Sequence, residues 1–300
     1  MPHPPHAAPA RPTRRLAAVL VLTAAFTVVE ALGGWLSGAL ALLADAGHML
    51  TDVGALGLAL AGARMAERPA DSSKTYGYLR WEILAALVNG ALLITIAGWI
   101  TVEAIGRLGQ PHEVNAPLFG AVAVAGLGVN LVALRLLHAG HRHGSLNTRA
   151  AYLHVLSDLL GSVGALTAAV VVGVTGWTAA DPLVSLGIAV LIVIGAGRIL
   201  RESVNVLLEA APAHIAVPEL ERRMRAVPGV ANVHDLHLWT VTSGVVAMSG
   251  HAVVPALADH PGALEGLRVA AAGLGIHHVT IQLETEEGCE DAGCGGGGAG

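Results

Sequence analysis

The stretch Ala39–Ala63, ALALLADAGHMLTDVGALGLALAGA, decides the fold of this chain. It is apolar over more than the ~20 residues that a helix needs to cross the hydrocarbon of a bilayer. Asp45, His48 and Asp52 interrupt it. An Asp at that depth costs about 2.5–3.5 kcal/mol on insertion scales, and ionisable groups there normally mark a pathway or a site. The stretch therefore predicts a membrane helix that carries functional side chains.

Further apolar stretches of similar length lie on both sides of this one, and together they predict six membrane-spanning helices. Of the 300 residues, 54% are hydrophobic and only 13% are charged, which is about half the charged share of a soluble domain. The mean hydropathy is +0.63. This composition excludes a soluble globular protein, and no basic stripe indicates nucleic acid. The predicted spans are Leu16–Leu36, Ala39–Ala63, Ile83–Val102, Leu118–Leu137, Ala150–Val174 and Pro182–Leu200.

Positive charge is distributed unevenly about these spans. Of the 17 Lys and Arg residues, only Arg107 lies on the face reached after the first, third and fifth spans. Cytoplasmic loops carry an excess of Lys and Arg, so both termini are predicted to be cytoplasmic. We expect a multi-pass protein of the inner (cytoplasmic) membrane.

The pattern changes after the sixth span. Alternation and turn residues predict two strands, Val230–Val241 and Val245–Val254, and a third strand, His277–Glu284. Helical spacing predicts Pro218–Val227 and Pro261–Gly273. The fold class is therefore an α-helical membrane protein followed by a small cytoplasmic α+β domain in the order αββαβ, ferredoxin-like or metallochaperone-like. The predicted domains are 1–15 (cytoplasmic segment), 16–204 (six helices), 205–284 (αββαβ) and 285–300 (flexible acidic, Gly-rich tail).

Two spans contain the same pattern, His-x-Leu-(Ser/Thr)-Asp. It occurs as His48 to Asp52 and again as His154 to Asp158, and residues four apart share one helix face. If the second and fifth spans pack together, two nitrogens and two oxygens converge. Zinc accepts that set in a tetrahedral site, whereas magnesium and calcium take more oxygen ligands and copper(I) takes sulfur.

Two alternatives remain open for these motifs. Each His–Asp pair is also typical of a hydrogen-bonded couple that ties membrane helices together. A proton relay without metal uses the same residue types. Glu30, Asn89 and Asn130 are further polar residues within spans, and we expect them to tie helices together.

The motifs make the chain similar to a known family. With Tyr76-Gly77-Tyr78, the run Ala85–Gly90 and the run His234–Thr240, they resemble the cation diffusion facilitators, exporters of zinc and related metals. The resemblance implies a homodimer, alternating access and exchange of cytoplasmic metal for external protons. Members with His and Asp on both helices prefer zinc, whereas all-carboxylate sites favour manganese.

The resemblance also implies a second metal site in the cytoplasmic domain. It places His234, His251, His277 and Glu284 there. By strand alternation His278, not His277, shares a face with Glu284, so His278 is a competitor. Ordinary surface histidines are the alternative. It stays open whether Cys289 and Cys294, or a loop holding His138, His141 and His143, bind metal.

We therefore predict a secondary active Zn²⁺/H⁺ antiporter, not an enzyme, with zinc as transported substrate and as a possible regulatory ligand. Zinc needs neutral imidazole and ionised carboxylate, so its binding competes with protons. The alternatives are a membrane metal sensor, a metalloenzyme, or an exporter of Co²⁺ or Cd²⁺. The sequence has neither the His-Glu-x-x-His nor the Gly-x-Ser-x-Gly motif of hydrolases.

Overall fold

The computed structural model describes residues 14–66, 71–109, 112–141, 146–256 and 260–285. Over these residues the chain forms eight helices and one three-stranded sheet. They fall into two compact units. Of the described residues, the first unit holds 14–66 and 85–201, and the second holds 71–84 and 202–285.

The first six helices supply the first unit, except for the start of the third and the end of the sixth, which belong to the second. Each is longer than the apolar run that predicted it, because the backbone hydrogen bonds of a helix continue into its polar ends. The third and sixth helices extend furthest past their predicted ends. The six are α1 (Arg14–Ser37), α2 (Leu40–Ala66), α3 (Trp81–Gly109), α4 (Ala116–His141), α5 (Leu146–Thr175) and α6 (Ala180–Leu207).

The helices of the first unit have apolar outer surfaces. Trp35, Val102 and Val174 are at least 73% exposed, which suits contact with lipid. Four segments are long and apolar enough to cross a membrane, and within the described residues α1 and α2 contribute the shorter apolar segments Val21–Ser37 and Leu40–Thr51. The count of six spans stays a prediction. The four long segments are Trp81–Gly109, Ala116–Leu136, Asp158–Thr175 and Ala180–Leu207.

Small residues allow these helices to pack closely. α1 packs against α2 and α4, α4 packs against α5, and α2 meets α5. A Cβ on Gly33 of α1 would lie 2.6 Å from Val122 Cγ2 of α4, so only glycine fits there. Asn130 Nδ2 donates a hydrogen bond of 2.9 Å to Ser162 Oγ. That bond ties α4 to α5, which is the role the sequence predicts for Asn130.

The second unit contains the predicted αββαβ domain. β1 (Asn232–Thr242) pairs antiparallel with β2 (Val245–Val253), and β2 pairs parallel with β3 (His278–Glu284). α7 (Val217–Arg225) and α8 (His260–Ala272) supply apolar side chains to the same core. The fully buried members of that core include Leu220, Met224, Met248, Leu267 and Ile276.

The segment 71–84 belongs to the second unit, although the sequence assigns it to a connection between spans. Glu82, in the first turn of α3, accepts hydrogen bonds from Thr242 Oγ1 (2.7 Å) and Ser243 Oγ (2.8 Å) at the β1–β2 turn. Arg80 Nη2 donates to Glu209 Oε1 at 2.8 Å. The predicted connection is therefore attached to the α+β domain by polar contacts.

Candidate metal centres

Two of the four predicted transport-site residues meet between α2 and α5. His48 Nε2 lies 3.8 Å from Asp158 Oδ1, and the Asp158 side chain is 3% exposed. The two residues come from helices that are distant in sequence, so their meeting does not follow from local structure. It brings an imidazole nitrogen and a carboxylate oxygen together inside the helical unit.

The other two predicted ligands lie on the same helices. Asp52 is one helical turn after His48 on α2, and His154 is one turn before Asp158 on α5. Residues four apart share a helix face. Their side chains lie outside the described residues.

Sequence reasoning assigned no firm role to two neighbours of this site. Asp45 on α2 is 2% exposed. A Cβ on Gly161 of α5 would lie only 2.9 Å from Asp45 Oδ1, so the carboxylate approaches α5 where a side chain is missing. The spacing of Asp45, one turn before His48, is a signal for a shared face. Nothing in the sequence pairs Asp45 with Gly161.

A second group of potential ligands lies in the α+β domain. His234, His251 and Glu284 each offer a ligand atom, and these atoms lie within 4.8 Å of one another. His251 Nδ1 is 2.5 Å from Glu284 Oε1, and His234 Nε2 is 3.5 Å from Glu284 Oε2. Two nitrogens and a carboxylate at this separation are a donor set that a transition metal accepts.

Strand register explains why these three side chains converge. His234 on β1 is directly opposite His251 on β2, and Val253 on β2 is opposite Glu284 on β3. His251 and Val253 are two residues apart and share a face, so Glu284 is a diagonal neighbour of His251. An irregularity follows His234, where Asp235 has φ +50°. Its Oδ2 lies 3.9 Å from His251 Nε2, a contact that the sequence analysis missed.

His277, the fourth residue predicted for this site, does not join the group. It precedes β3 and is exposed. At about 3.3 Å per residue, seven residues of strand separate it from Glu284 by about 23 Å. The competitor His278 is also exposed, and its ring centroid lies 5.2 Å from that of Tyr76. The spacing in sequence therefore does not bring either histidine to Glu284 within one chain.

The remaining candidate ligands are less informative. His138 and His141 belong to α4 and not to a loop, because Arg135 and the histidines suit a helix C-terminus, where positive charge is favourable. His143, Cys289 and Cys294 lie outside the described residues.

Asp71, in the segment before α3, acts as the acceptor of a turn. Its carboxylate accepts from the Ser73 hydroxyl and from the backbone N–H groups of Ser73 and Lys74. The hydrogen bond from Ser73, followed by those from the backbone, lowers the pKa of Asp71 to about 2. The hydrogen bonds of this turn therefore stabilise the folded state at pH values above the ordinary pKa of Asp, and this stabilisation is lost as the pH falls through about 2.

Two family models match the chain, one mainly over each compact unit. A family model described as "Cation efflux transmembrane domain" matches residues 16–208. A second, described as "Cation efflux protein, cytoplasmic domain", matches residues 212–286.

Curated relatives match along nearly their whole length. The Escherichia coli (strain K12) protein named zinc transporter ZitB is 46% identical, over 90% of this chain and 87% of its own. The Bacillus subtilis (strain 168) cadmium, cobalt and zinc/H(+)-K(+) antiporter is 42% identical, over 89% of this chain and 87% of its own. Among solved structures, the metal-bound C-terminal domain of the CzcD transporter from Cupriavidus metallidurans is 36% identical. The match covers 23% of this chain and 99% of the solved domain, with a TM-score of 0.22.

The two family models together span almost all of the helical unit and the α+β domain. Because of this coverage and the identity to full-length relatives, the chain belongs to the cation efflux family, the cation diffusion facilitators, and is a multi-pass membrane transporter with a cytoplasmic α+β domain.

Proposed function

We propose that this protein exports Zn²⁺ from the cytoplasm across the inner membrane in exchange for protons, by alternating access. The transport site consists of His48 and Asp52 on α2 with His154 and Asp158 on α5. The termini are cytoplasmic and the protein acts as a homodimer, as the family resemblance implies. The curated relatives' names, which include zinc transport and antiport with protons, support this assignment.

The observation that carries the proposal is the 3.8 Å separation of His48 Nε2 and Asp158 Oδ1. Zn–N and Zn–O bonds of about 2.0–2.1 Å place two ligand atoms of a tetrahedral zinc about 3.3 Å apart. A shift of a few tenths of an ångström per side chain would let both atoms bind one ion. The ion is transported cargo, so a pair that is close but adjustable suits release as well as binding.

Exchange with protons follows from the ligand types. Zinc binds a neutral imidazole and an ionised carboxylate, so protons and zinc compete for the same atoms. When the site opens toward the more acidic side, protonation favours release of the ion. When it opens toward the cytoplasm, deprotonation favours capture.

His234, His251 and Glu284 form a separate cytoplasmic site in this proposal. Its two imidazoles and one carboxylate bind zinc as a regulatory ligand, not as cargo. The site lies in the α+β unit and is distinct from the residues of the transport site.

Zinc flux in liposomes under a pH gradient tests the proposal. Purified protein is placed in vesicles with an acidic lumen, and zinc is added outside. Zinc should accumulate in the lumen while protons leave, and an ionophore that collapses the pH gradient should stop accumulation. A metal sensor or a metalloenzyme moves neither ion, and parallel runs with Co²⁺ and Cd²⁺ test the other metals.

Variants then assign the site. Asp158→Asn and Asp52→Asn should lower flux by at least a hundredfold while the protein still inserts and dimerises. Glu202→Gln, an exposed carboxylate on α6, is the matched control and should keep flux within twofold of the wild type. Wild-type transport by either Asp variant would refute the proposed site.

A further inference from the structure

The N-terminus of α2 lacks an acidic residue of its own. No acidic side chain lies in its first turn, yet the first N–H groups of any helix have no acceptor within the helix. Asp181, at the start of α6 and distant in sequence, supplies the acceptor for these N–H groups. Its Oδ2 accepts from Leu40 N and its Oδ1 from Ala41 N, each at 2.8 Å. The Asp181 side chain is completely buried.

Other elements face the same carboxylate. Arg107, near the end of α3, donates from Nη1 to Gly38 O at 2.6 Å, and the same atom lies 3.8 Å from Asp181 Oδ2. His112 Nε2, between α3 and α4, is also 3.8 Å from Asp181 Oδ2. Gly38 has φ +73°, a conformation suited to glycine. These contacts gather the α1–α2 turn, α3, the segment after it and α6 around one buried Asp.

These contacts fix the N-terminal end of α2, and His48 lies about two helical turns further along the same helix. Eight residues at 1.5 Å each place His48 about 12 Å along the helix from Leu40. A helix is stiff over that length, so a shift or rotation at Leu40 is transmitted to His48. Two hydrogen bonds to both carboxylate oxygens fix position and rotation together, which a single bond does not.

We propose that Asp181 is a positioning residue for metal transport. By binding the first amides of α2, it sets the height and rotation at which His48 meets Asp158. This inference rests on the proposed transport site between α2 and α5. A purely structural role predicts less folded protein with unchanged zinc handling, whereas a positioning role predicts altered zinc handling in the protein that does fold.

Asp181→Asn tests this most directly. The substitution preserves shape but replaces one acceptor oxygen with an NH₂ group, which cannot accept from a backbone N–H. Zinc flux is measured per folded transporter over a range of zinc concentrations, and zinc binding is measured by calorimetry in a His251→Ala background. We expect the half-saturating zinc concentration to rise at least tenfold and zinc affinity to fall by a similar factor, because small misplacements of reacting groups have large effects.

Controls separate the possible outcomes. Glu202→Gln, the same chemical change on an exposed part of α6, should leave both quantities within twofold of the wild type. Folded Asp181→Asn protein with wild-type flux and wild-type zinc affinity would overturn the proposal. If Asp181→Asn yields no folded protein, Arg107→Gln takes its place. It should raise the half-saturating concentration at least threefold, and a wild-type value there would equally overturn the proposal.

His48→Ala distinguishes this inference from the proposed function. If His48→Ala keeps wild-type flux, the proposed transport site itself fails. If His48→Ala loses flux while Asp181→Asn behaves as the wild type, only the positioning role fails.

Discussion

The imidazole of His48 is the residue-scale feature that should decide which metal is carried. It faces Asp158 Oδ1 across the α2–α5 contact at 3.8 Å. Nitrogen ligands favour zinc, whereas manganese suits carboxylate sites and gains less from imidazole. We therefore expect the choice between metals to depend on this one donor atom more than on the shape of the helical unit.

We expect His48→Asp to weaken discrimination against manganese and cadmium. The change replaces a nitrogen donor with oxygen and adds a negative charge, so manganese flux relative to zinc flux should rise about tenfold. Competition between metals in the liposome assay measures this ratio. His214→Asp, at an exposed position, is the control and should leave the ratio unchanged. An unaltered metal profile in the His48 variant would remove the argument from imidazole.

At the scale of helices, the absence of a side chain on Gly161 lets a carboxylate of α2 approach α5 closely. Asp45 Oδ1 occupies the place that a Cβ at Gly161 would approach to 2.9 Å. The Asp45 side chain is buried, and membrane helices associate through close contact of small residues. The α2–α5 contact thus involves Gly161, which nothing in the sequence distinguishes from the other glycines among the 38 of the chain.

Gly161→Ala should lower zinc flux about tenfold. The added methyl group would approach the buried Asp45 carboxylate too closely, so that carboxylate must shift beside the turn of α2 that carries His48. Gly173→Ala on the same helix is the matched control, because a Cβ there would meet Ala116 Cβ at an ordinary 3.7 Å. Flux per inserted transporter measures the effect. Equal flux in the two variants would show that α2 and α5 tolerate a wider separation.

The sequence predicts the helices, the α+β order and the paired His and Asp motifs, because each has a local period or a repeated pattern. It does not predict the hydrogen bonds of Asp181 to α2, since these join residues 141 and 140 positions apart. The predicted strand His277–Glu284 already implies that its two ends lie about 23 Å apart, and only the family resemblance places His277 beside Glu284. Spacing along a sequence becomes a distance only once the residues are known to form an extended strand.

On the scale of the whole molecule, the two groups of proposed metal ligands belong to different compact units. His48 and Asp158 lie in the helical unit, and His234, His251 and Glu284 lie in the α+β unit. Separate units give each group its own packing and its own metal affinity. A variant in one group should therefore leave the binding of metal at the other largely unchanged.

His251→Ala and His277→Ala test both this separation and the membership of the second site. A ligand that binds only the folded state raises its stability, by about 2.7 kcal/mol at a hundredfold excess over Kd. Zinc should therefore raise the melting temperature of the α+β unit in the wild type and in His277→Ala, but much less in His251→Ala, which removes one of three ligands.

Both variants should retain at least half of wild-type flux at saturating zinc. Complete loss of flux in His251→Ala would show that the cytoplasmic group is essential for transport. His277 lies about 23 Å from Glu284 along the strand. If His277→Ala lost the zinc-dependent stabilisation, His277 would have to reach the site from a second protomer.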